Sequence, residues 1–188
     1  EYKTCCQDDT AYKNGNLVSI DTFVFPLYDD NVMHINEFQL ENFSFLNADT
    51  VYCYVDYRRE VGTRNIIEKA WKLGKKVAVP KVEGAEMNFY YIHSFDDLKC
   101  GYKGILEPDI LNPAQGESGL IIFPGAAYDR HCNRIGYGGG YYDKYMDKHE
   151  GLQSIALAFE CQIEEHIPAE IHDIKPDIII TEEHIYVK

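Results

Sequence analysis

The sequence predicts an α/β fold, a single three-layer domain with a mostly parallel sheet covered by helices on both faces. Three observations lead there. Short apolar runs rich in β-branched and aromatic residues recur along the chain, helical spacing falls between some of them, and chemically unusual segments follow directly after apolar runs. In open α/β sheets ligands sit in that last position, beyond the carboxyl ends of strands. With 188 residues, 45% of them hydrophobic, the chain is sized for one well-packed domain, taken as residues 1–188.

Residues 50–57 (TVYCYVDY) read as a buried strand. Thr63 is placed to cap the next helix, on which Ile66, Ile67, Ala70, Trp71 and Leu73 share a face and Glu68 supports Lys72 four residues on. Gly74 ends it. Residues 76–80 form the following strand, so that the strand–helix–strand succession is a right-handed crossover with parallel strands. Further strands are predicted at residues 88–92, 119–123, 154–159 and 176–181, and a helix at 141–148. The stretch 108–119 (PDILNPAQGESG), with two prolines and two glycines, reads as an exposed loop within the domain. Residues 1–48 are different in kind: 17–25 (LVSIDTFVF) alternates like a strand, and 36–47 mixes asparagines, acids and phenylalanines.

Charge narrows the ligand. The net charge of −13 argues against a nucleic-acid binder, which would carry a basic footprint. Residues 1–57 hold Lys3 and Lys13 against ten acids, whereas 58–188 hold sixteen basic residues against twenty-one acids. An anionic ligand therefore belongs with the second region. Apolar runs fall short of the roughly 20 residues that span a bilayer, and no secretory leader opens the sequence. Six cysteines (Cys5, Cys6, Cys53, Cys100, Cys132, Cys161) lack zinc-type spacing and read as reduced thiols. The cytoplasm is the expected compartment, and a monomer the expected state.

Residues 124–145 (PGAAYDRHCNRIGYGGGYYDKY) are the most informative stretch. Ordering glycines is entropically costly, and here Gly136, Gly138, Gly139 and Gly140 fall within five residues. Their missing Cβ atoms let backbone N–H groups approach an anion, at the start of a helix. Arg134 adds a planar, permanently charged fork suited to phosphate oxygens. The run is neither a P-loop, which ends in Gly-Lys-Ser/Thr, nor the dinucleotide pattern GxGxxG. A tight strand-to-helix turn is the competing reading.

Together with FPGAAYDR before it, this run resembles the signature of the 5-formyltetrahydrofolate cyclo-ligase family, whose members are also called 5,10-methenyltetrahydrofolate synthetases. Residues 51–63 (VYCYVDYRREVGT), 74–90 (GKKVAVPKVEGAEMNFY), 104–108 (GILEP) and 171–181 (IHDIKPDIIIT) agree with it in order. The resemblance implies ATP as co-substrate, Mg²⁺, and 5-formyltetrahydrofolate, in mono- or polyglutamylated form, as substrate. The ATP phosphates would lie on Arg134, Ile135, Gly136, Tyr137, Gly138, Gly139, Gly140, Tyr141 and Tyr142. The middle of the run, from Tyr137 through Gly138, Gly139 and Gly140 to Tyr141, would also line the folate site, with Val55 and Glu60 contacting folate. Arg134 and Tyr141 are the candidate catalytic residues, and Asp143 and Asp173 the candidate Mg²⁺ ligands.

Each residue has a plainer reading. Glu60 could be half of a surface ion pair with Arg58, Arg59 or Arg64, Asp143 a helix-start acid, and Asp173 a solvated turn residue. Lys81 and Arg130 are further candidates for phosphate or for the glutamate tail. The sequence departs from the family at its opening, where a helix carries a lysine and, four residues on, an arginine: before Arg58 there is no arginine. Two functions follow, an ATP- and Mg²⁺-dependent cyclo-ligase, or a family member that binds nucleotide or folate without turnover.

Overall fold

In the computed structural model the described residues are 10–13, 16–19, 45–101, 104–109, 111–115, 118–170 and 173–188. The strands are β1 (Thr10–Lys13), β2 (Asn16–Ser19), β3 (Thr50–Cys53), β4 (Lys76–Glu83), β5 (Glu86–Ile92), β6 (Leu98–Cys100) and β7 (Leu106–Pro108). They continue with β8 (Gly119–Phe123), β9 (Ala127–Asp129), β10 (Arg134–Ile135), β11 (Leu152–Leu157), β12 (Ile163–Glu164), β13 (Ile178–Ile180) and β14 (Ile185–Val187). Among the described residues there are two α-helices, α1 (Arg64–Lys72) and α2 (Tyr141–Asp147).

The main sheet has seven strands in the order β14-β13-β11-β8-β3-β4-β5. Its central pairs are parallel, with Val51 opposite Leu120, Val51 opposite Val77, Ile155 opposite Ile122 and Leu157 opposite Ile180. Both edges are antiparallel: β4 turns back as β5, and β13 as β14. The sheet is thus mixed, mostly parallel as expected, with an antiparallel strand at each margin. Hairpins need only a short turn, whereas each parallel step needs a crossover.

Successive residues on a strand point to opposite faces, and two core clusters follow that alternation. Val51, Cys53, Val79, Leu120, Ile122, Ile155 and Ile180 cluster with Ile66, Ile67 and Ala70 of α1. Tyr52, Ala78, Ile121, Phe123, Ala156 and Ile179 cluster with Tyr145 and Met146 of α2. Among the described residues the helices that pack on the sheet are these two, fewer than the expected covering of both faces calls for.

Several local expectations are corrected. The first strand ends at Cys53 rather than continuing to residue 57. Thr63 stands at the N-cap of α1 but makes no capping bond; its hydroxyl donates to the Tyr54 carbonyl at 2.8 Å and to Asp56 at 3.0 Å. Leu73, expected on the buried face of α1, is 49% exposed, while Gly74 ends the helix at φ +73° as a left-handed terminus requires. Within the expected exposed loop, Pro108 belongs to β7 and Pro113 bridges to Tyr90. Of the strand-like alternation at residues 17–25, positions 17–19 belong to β2; residues 20–25 lie outside the described residues, as do Lys3 and residues 36–44.

Candidate active site

Parallel pairing brings the carboxyl ends of β3, β8 and β11 to one edge of the sheet, and the segments that follow them carry most of the predicted site. After β3 the chain folds into a clasped loop. Tyr54 donates its hydroxyl to the Val61 carbonyl (2.7 Å), Thr63 N–H donates to Asp56 (2.9 Å), and Arg58 takes a left-handed φ of +55°. This clasp delivers Glu60 inward, half-buried, where its Oε2 accepts the Tyr57 N–H at 2.9 Å.

Tyr137, from the glycine run, hydrogen-bonds the same carboxylate. Two motifs separated by more than seventy residues therefore meet at one oxygen pair. Burial pushes the Glu60 carboxyl up to about 7, with Asp56 adding to the rise, against the pull of the Tyr57 N–H and the Tyr137 hydroxyl. The phenols of Tyr54, Tyr128 and Tyr142 are raised as well, by burial first and by Glu60 among the further causes. They remain neutral donors across the working range of an enzyme.

The run itself is held from both sides. Before it, buried Asp129 accepts from the N–H groups of His131, Asn133 and Ile167 and from the Asn133 amide. Those bonds outweigh the burial that opposes its ionisation and keep its pKa low. They also stabilise the β9–β10 turn, in which Cys132 adopts φ +60°, and so present Arg134. After the run, Tyr142 packs edge-on to Phe123 at 5.3 Å and Phe89 at 6.4 Å, which fixes the start of α2. Gly138 (φ +89°) and Gly140 (φ +60°) occupy left-handed backbone that other residues resist. Gly139 has an ordinary φ, but a Cβ there would stand 2.4 Å from the Tyr141 ring.

Arg134 is buried, its side chain 4% exposed, and its Nη2 donates to Asp143 Oδ1 at 2.9 Å. The Ile174 N–H donates to that same oxygen at 3.1 Å, so the chain next to Asp173 closes on Asp143. Asp143 Oδ2 carries no hydrogen bond among the described residues, and neither does Arg134 Nε. Asp173 Oδ2 accepts the Glu170 N–H at 2.7 Å. One free carboxylate oxygen and a second carboxylate on the adjoining segment suit Mg²⁺, which takes one or two protein carboxylates and completes its shell with water and phosphate.

Glu60, Tyr137, Arg134, Tyr142 and Asp143 form one constellation. Val55 packs against the α1-side core, and Ile135 is buried with Ala126, Ala127 and Ile167, contributing shape rather than polar contacts. Lys81 donates to the Pro108 carbonyl at 3.0 Å, and Arg130 lies on the Tyr186 side. Sequence reasoning assigned no role to Tyr128. Its ring is fully buried, its hydroxyl has no hydrogen-bond partner among the described residues, and a Cβ on Gly125 would stand 2.5 Å from that hydroxyl. Gln162, also unassigned, donates to the Gly125 and Ala126 carbonyls and holds that loop. Tyr128 does lie within FPGAAYDR, but only its burial beside Gly125 distinguishes it from other tyrosines.

A model of the 5-formyltetrahydrofolate cyclo-ligase family matches residues 34–182. The chain belongs to that family. It is 28% identical over 149 residues to the Escherichia coli K12 5-formyltetrahydrofolate cyclo-ligase, covering 74% of this chain and 81% of that protein. The mouse 5-formyltetrahydrofolate cyclo-ligase is 30% identical over 154 residues, covering 74% and 76%. Among solved structures, the Aquifex aeolicus 5,10-methenyltetrahydrofolate synthetase superposes with a TM-score of 0.68 at 30% identity, covering 79% of this chain and 76% of that one. The Mycoplasma pneumoniae 5,10-methenyltetrahydrofolate synthetase shares the fold at 20% identity, with a TM-score of 0.57 and coverage of 73% and 76%. The mixed sheet with few helices is thus the cyclo-ligase fold, and the glycine run lies inside the matched region.

Proposed function

We propose that this cyclo-ligase family member is an ATP-dependent ligase that converts 5-formyltetrahydrofolate to 5,10-methenyltetrahydrofolate, with residues 1–188 acting as one domain and one monomer. The observation that carries the reading is the convergence of Glu60 with Tyr137, on a run that also bears the Arg134–Asp143 pair. A pterin offers hydrogen-bond donors to a half-buried carboxylate, and a polyphosphate suits glycine backbone beside cations.

In the proposed reaction the formyl oxygen on N5 attacks the γ-phosphorus of ATP and ADP leaves. N10 then adds to the activated formyl carbon, its proton is lost, and inorganic phosphate departs with the original oxygen, closing the ring. Phosphoryl transfer asks mainly for positioning and charge neutralisation. Gly138, Gly139 and Gly140 keep Cβ atoms away from the phosphates, Arg134 orients Asp143, and Tyr141 and Tyr142 wall the cleft. Glu60 and Val55 hold the folate, with Tyr137 linking Glu60 to the glycine run. Asp143 and Asp173 would hold Mg²⁺, which would supply charge neutralisation to the phosphates.

Among the described residues no helix is long and apolar enough to cross a membrane, and the proposed setting is the cytoplasm, without nucleic-acid partners. The test is the absorbance of 5,10-methenyltetrahydrofolate formed from 5-formyltetrahydrofolate with and without ATP. ATP-dependent product is expected. Binding of both ligands without product would instead favour a non-catalytic buffer or regulator.

A further inference from the structure

Resting on that reading of the glycine run as the phosphate site, we propose that Lys144 supplies the mobile positive charge that meets the ATP polyphosphate there. Arg134, the cation of the run itself, is already committed. Its guanidinium is buried, ion-paired with Asp143, 3.5 Å from the Pro124 carbonyl through Nη1, and 5.3 Å from the centre of the Phe123 ring. It orients a carboxylate and leaves little of its charge facing solvent. Lys81 is tied to the Pro108 carbonyl. Lys75, farther off, is held by the carbonyls of Leu46 and Ala48.

Lys144 differs in each respect. It is exposed, and because helical side chains lean toward the N-terminus of their helix, its stem folds back over the glycine run. Its Cε comes 4.0 Å from where a Cβ of Gly140 would stand, and its Nζ lies 5.8 Å from the centre of the Tyr141 ring. Glu86, the carboxylate that faces it, is ion-paired at 2.9 Å with Lys148, and that bond, with a smaller contribution from Lys144, holds the Glu86 pKa below the usual range. Lys144 itself forms no ion pair among the described residues. The same lysine lines a cleft of about 320 Å³ together with Tyr141, Lys148, Met87 and Asn88. The cleft reaches the glycine run through Tyr141, which follows Gly140, and the carboxylate that also lines it, Glu86, is paired with Lys148. The glycine at 140 is called for by the left-handed cap at φ +60°, and the lysine stem passes it at van der Waals distance.

Equilibrium titration of the full chain with ATP and with AMP, in wild type, Lys144→Gln and Lys144→Arg, tests this. Lys144→Gln is expected to raise the Kd for ATP about tenfold, the worth of one exposed charge-assisted contact, to flatten its salt dependence, and to leave AMP and 5-formyltetrahydrofolate binding unchanged. Lys144→Arg is expected to stay within about threefold of wild type, since charge is retained. Equal ATP affinity in wild type and Lys144→Gln would overturn the proposal, as would an equal loss for AMP, which would indicate a packing effect. Failure of the wild type to bind ATP would overturn the nucleotide reading itself, and that result is seen before any variant is made.

Discussion

Replacing Asp143 by Asn tests stability and chemistry at once. Asp143 Oδ1 accepts from Arg134 Nη2 at 2.9 Å and from the Ile174 N–H at 3.1 Å, while the two side chains are 30% and 4% exposed. Removing one partner of a fully buried ion pair costs about 3–5 kcal/mol, because the other charge is left uncompensated. Asn softens that. Its carbonyl can still accept both bonds, so the loss is the difference between charge-assisted and neutral hydrogen bonds, and the partial exposure of Asp143 lets water screen Arg134. A destabilisation of about 2 kcal/mol follows, which for a chain of this size lowers Tm by about 4–8 °C. The neutral amide also withdraws the anionic oxygen available to Mg²⁺, so turnover should fall at least about a hundredfold and require more Mg²⁺. Thermal melting and the absorbance assay, each run across Mg²⁺ concentrations, report the two effects separately. A wild-type Tm would refute the burial argument for the Arg134–Asp143 pair. Wild-type turnover at every Mg²⁺ concentration would remove Asp143 from the chemistry.

The remaining predictions concern Glu60 and Gly139. Because the folded pKa of Glu60 is raised from 4.5 to about 7, the folded protein binds that proton more tightly than the unfolded chain, and stability from this group is full below pH 4.5 and falls as pH rises to about 7. Glu60→Gln should therefore melt progressively higher than wild type between pH 5 and 8, by at most about 3 kcal/mol, and a constant Tm difference would remove burial as the cause. The KM of wild type for folate should fall as pH rises through about 7, as the acceptor ionises, and Glu60→Gln should flatten that profile with a higher KM throughout. Gly139→Val would place a branched side chain 2.4 Å from the Tyr141 ring, forcing that ring into the cleft. ATP affinity measured calorimetrically should drop more than about tenfold with Tm changed by only a few degrees, and unchanged affinity would return the glycines to a plain turn.

Local patterns in the sequence were sufficient wherever a segment's own composition decides its state. The fully apolar stretch 119–123 is β8 to the residue, because a buried parallel strand has no polar face to confuse its reading. Helix α1 was legible from its 3.6-residue spacing and terminal glycine, and α2 from the change of glycine to tyrosine at residue 141. The glycine run was legible as a candidate anion site because few other roles call for so many missing Cβ atoms.

What composition could not reveal was pairing. β6, β7, β9, β10, β12 and β14 are only two or three residues long, too short for a period to register, and exist because a neighbouring strand supplies their hydrogen bonds. Thr63 has the sequence signature of a cap, yet its hydroxyl is claimed by the Tyr54 carbonyl and Asp56 once the clasp closes. Arg134 reads as a phosphate ligand in sequence, and the fold buries it against Asp143, leaving Lys144 facing the run. Glu60 meets Tyr137 only because β3 and β8 are parallel neighbours whose carboxyl ends share an edge. The sequence by itself determined the longer strands and the two helices, since those depend on residues a few positions apart. Which charges pair, and which remain for a ligand, was decided by tertiary structure, because burial and contact between distant segments arise only when the sheet assembles.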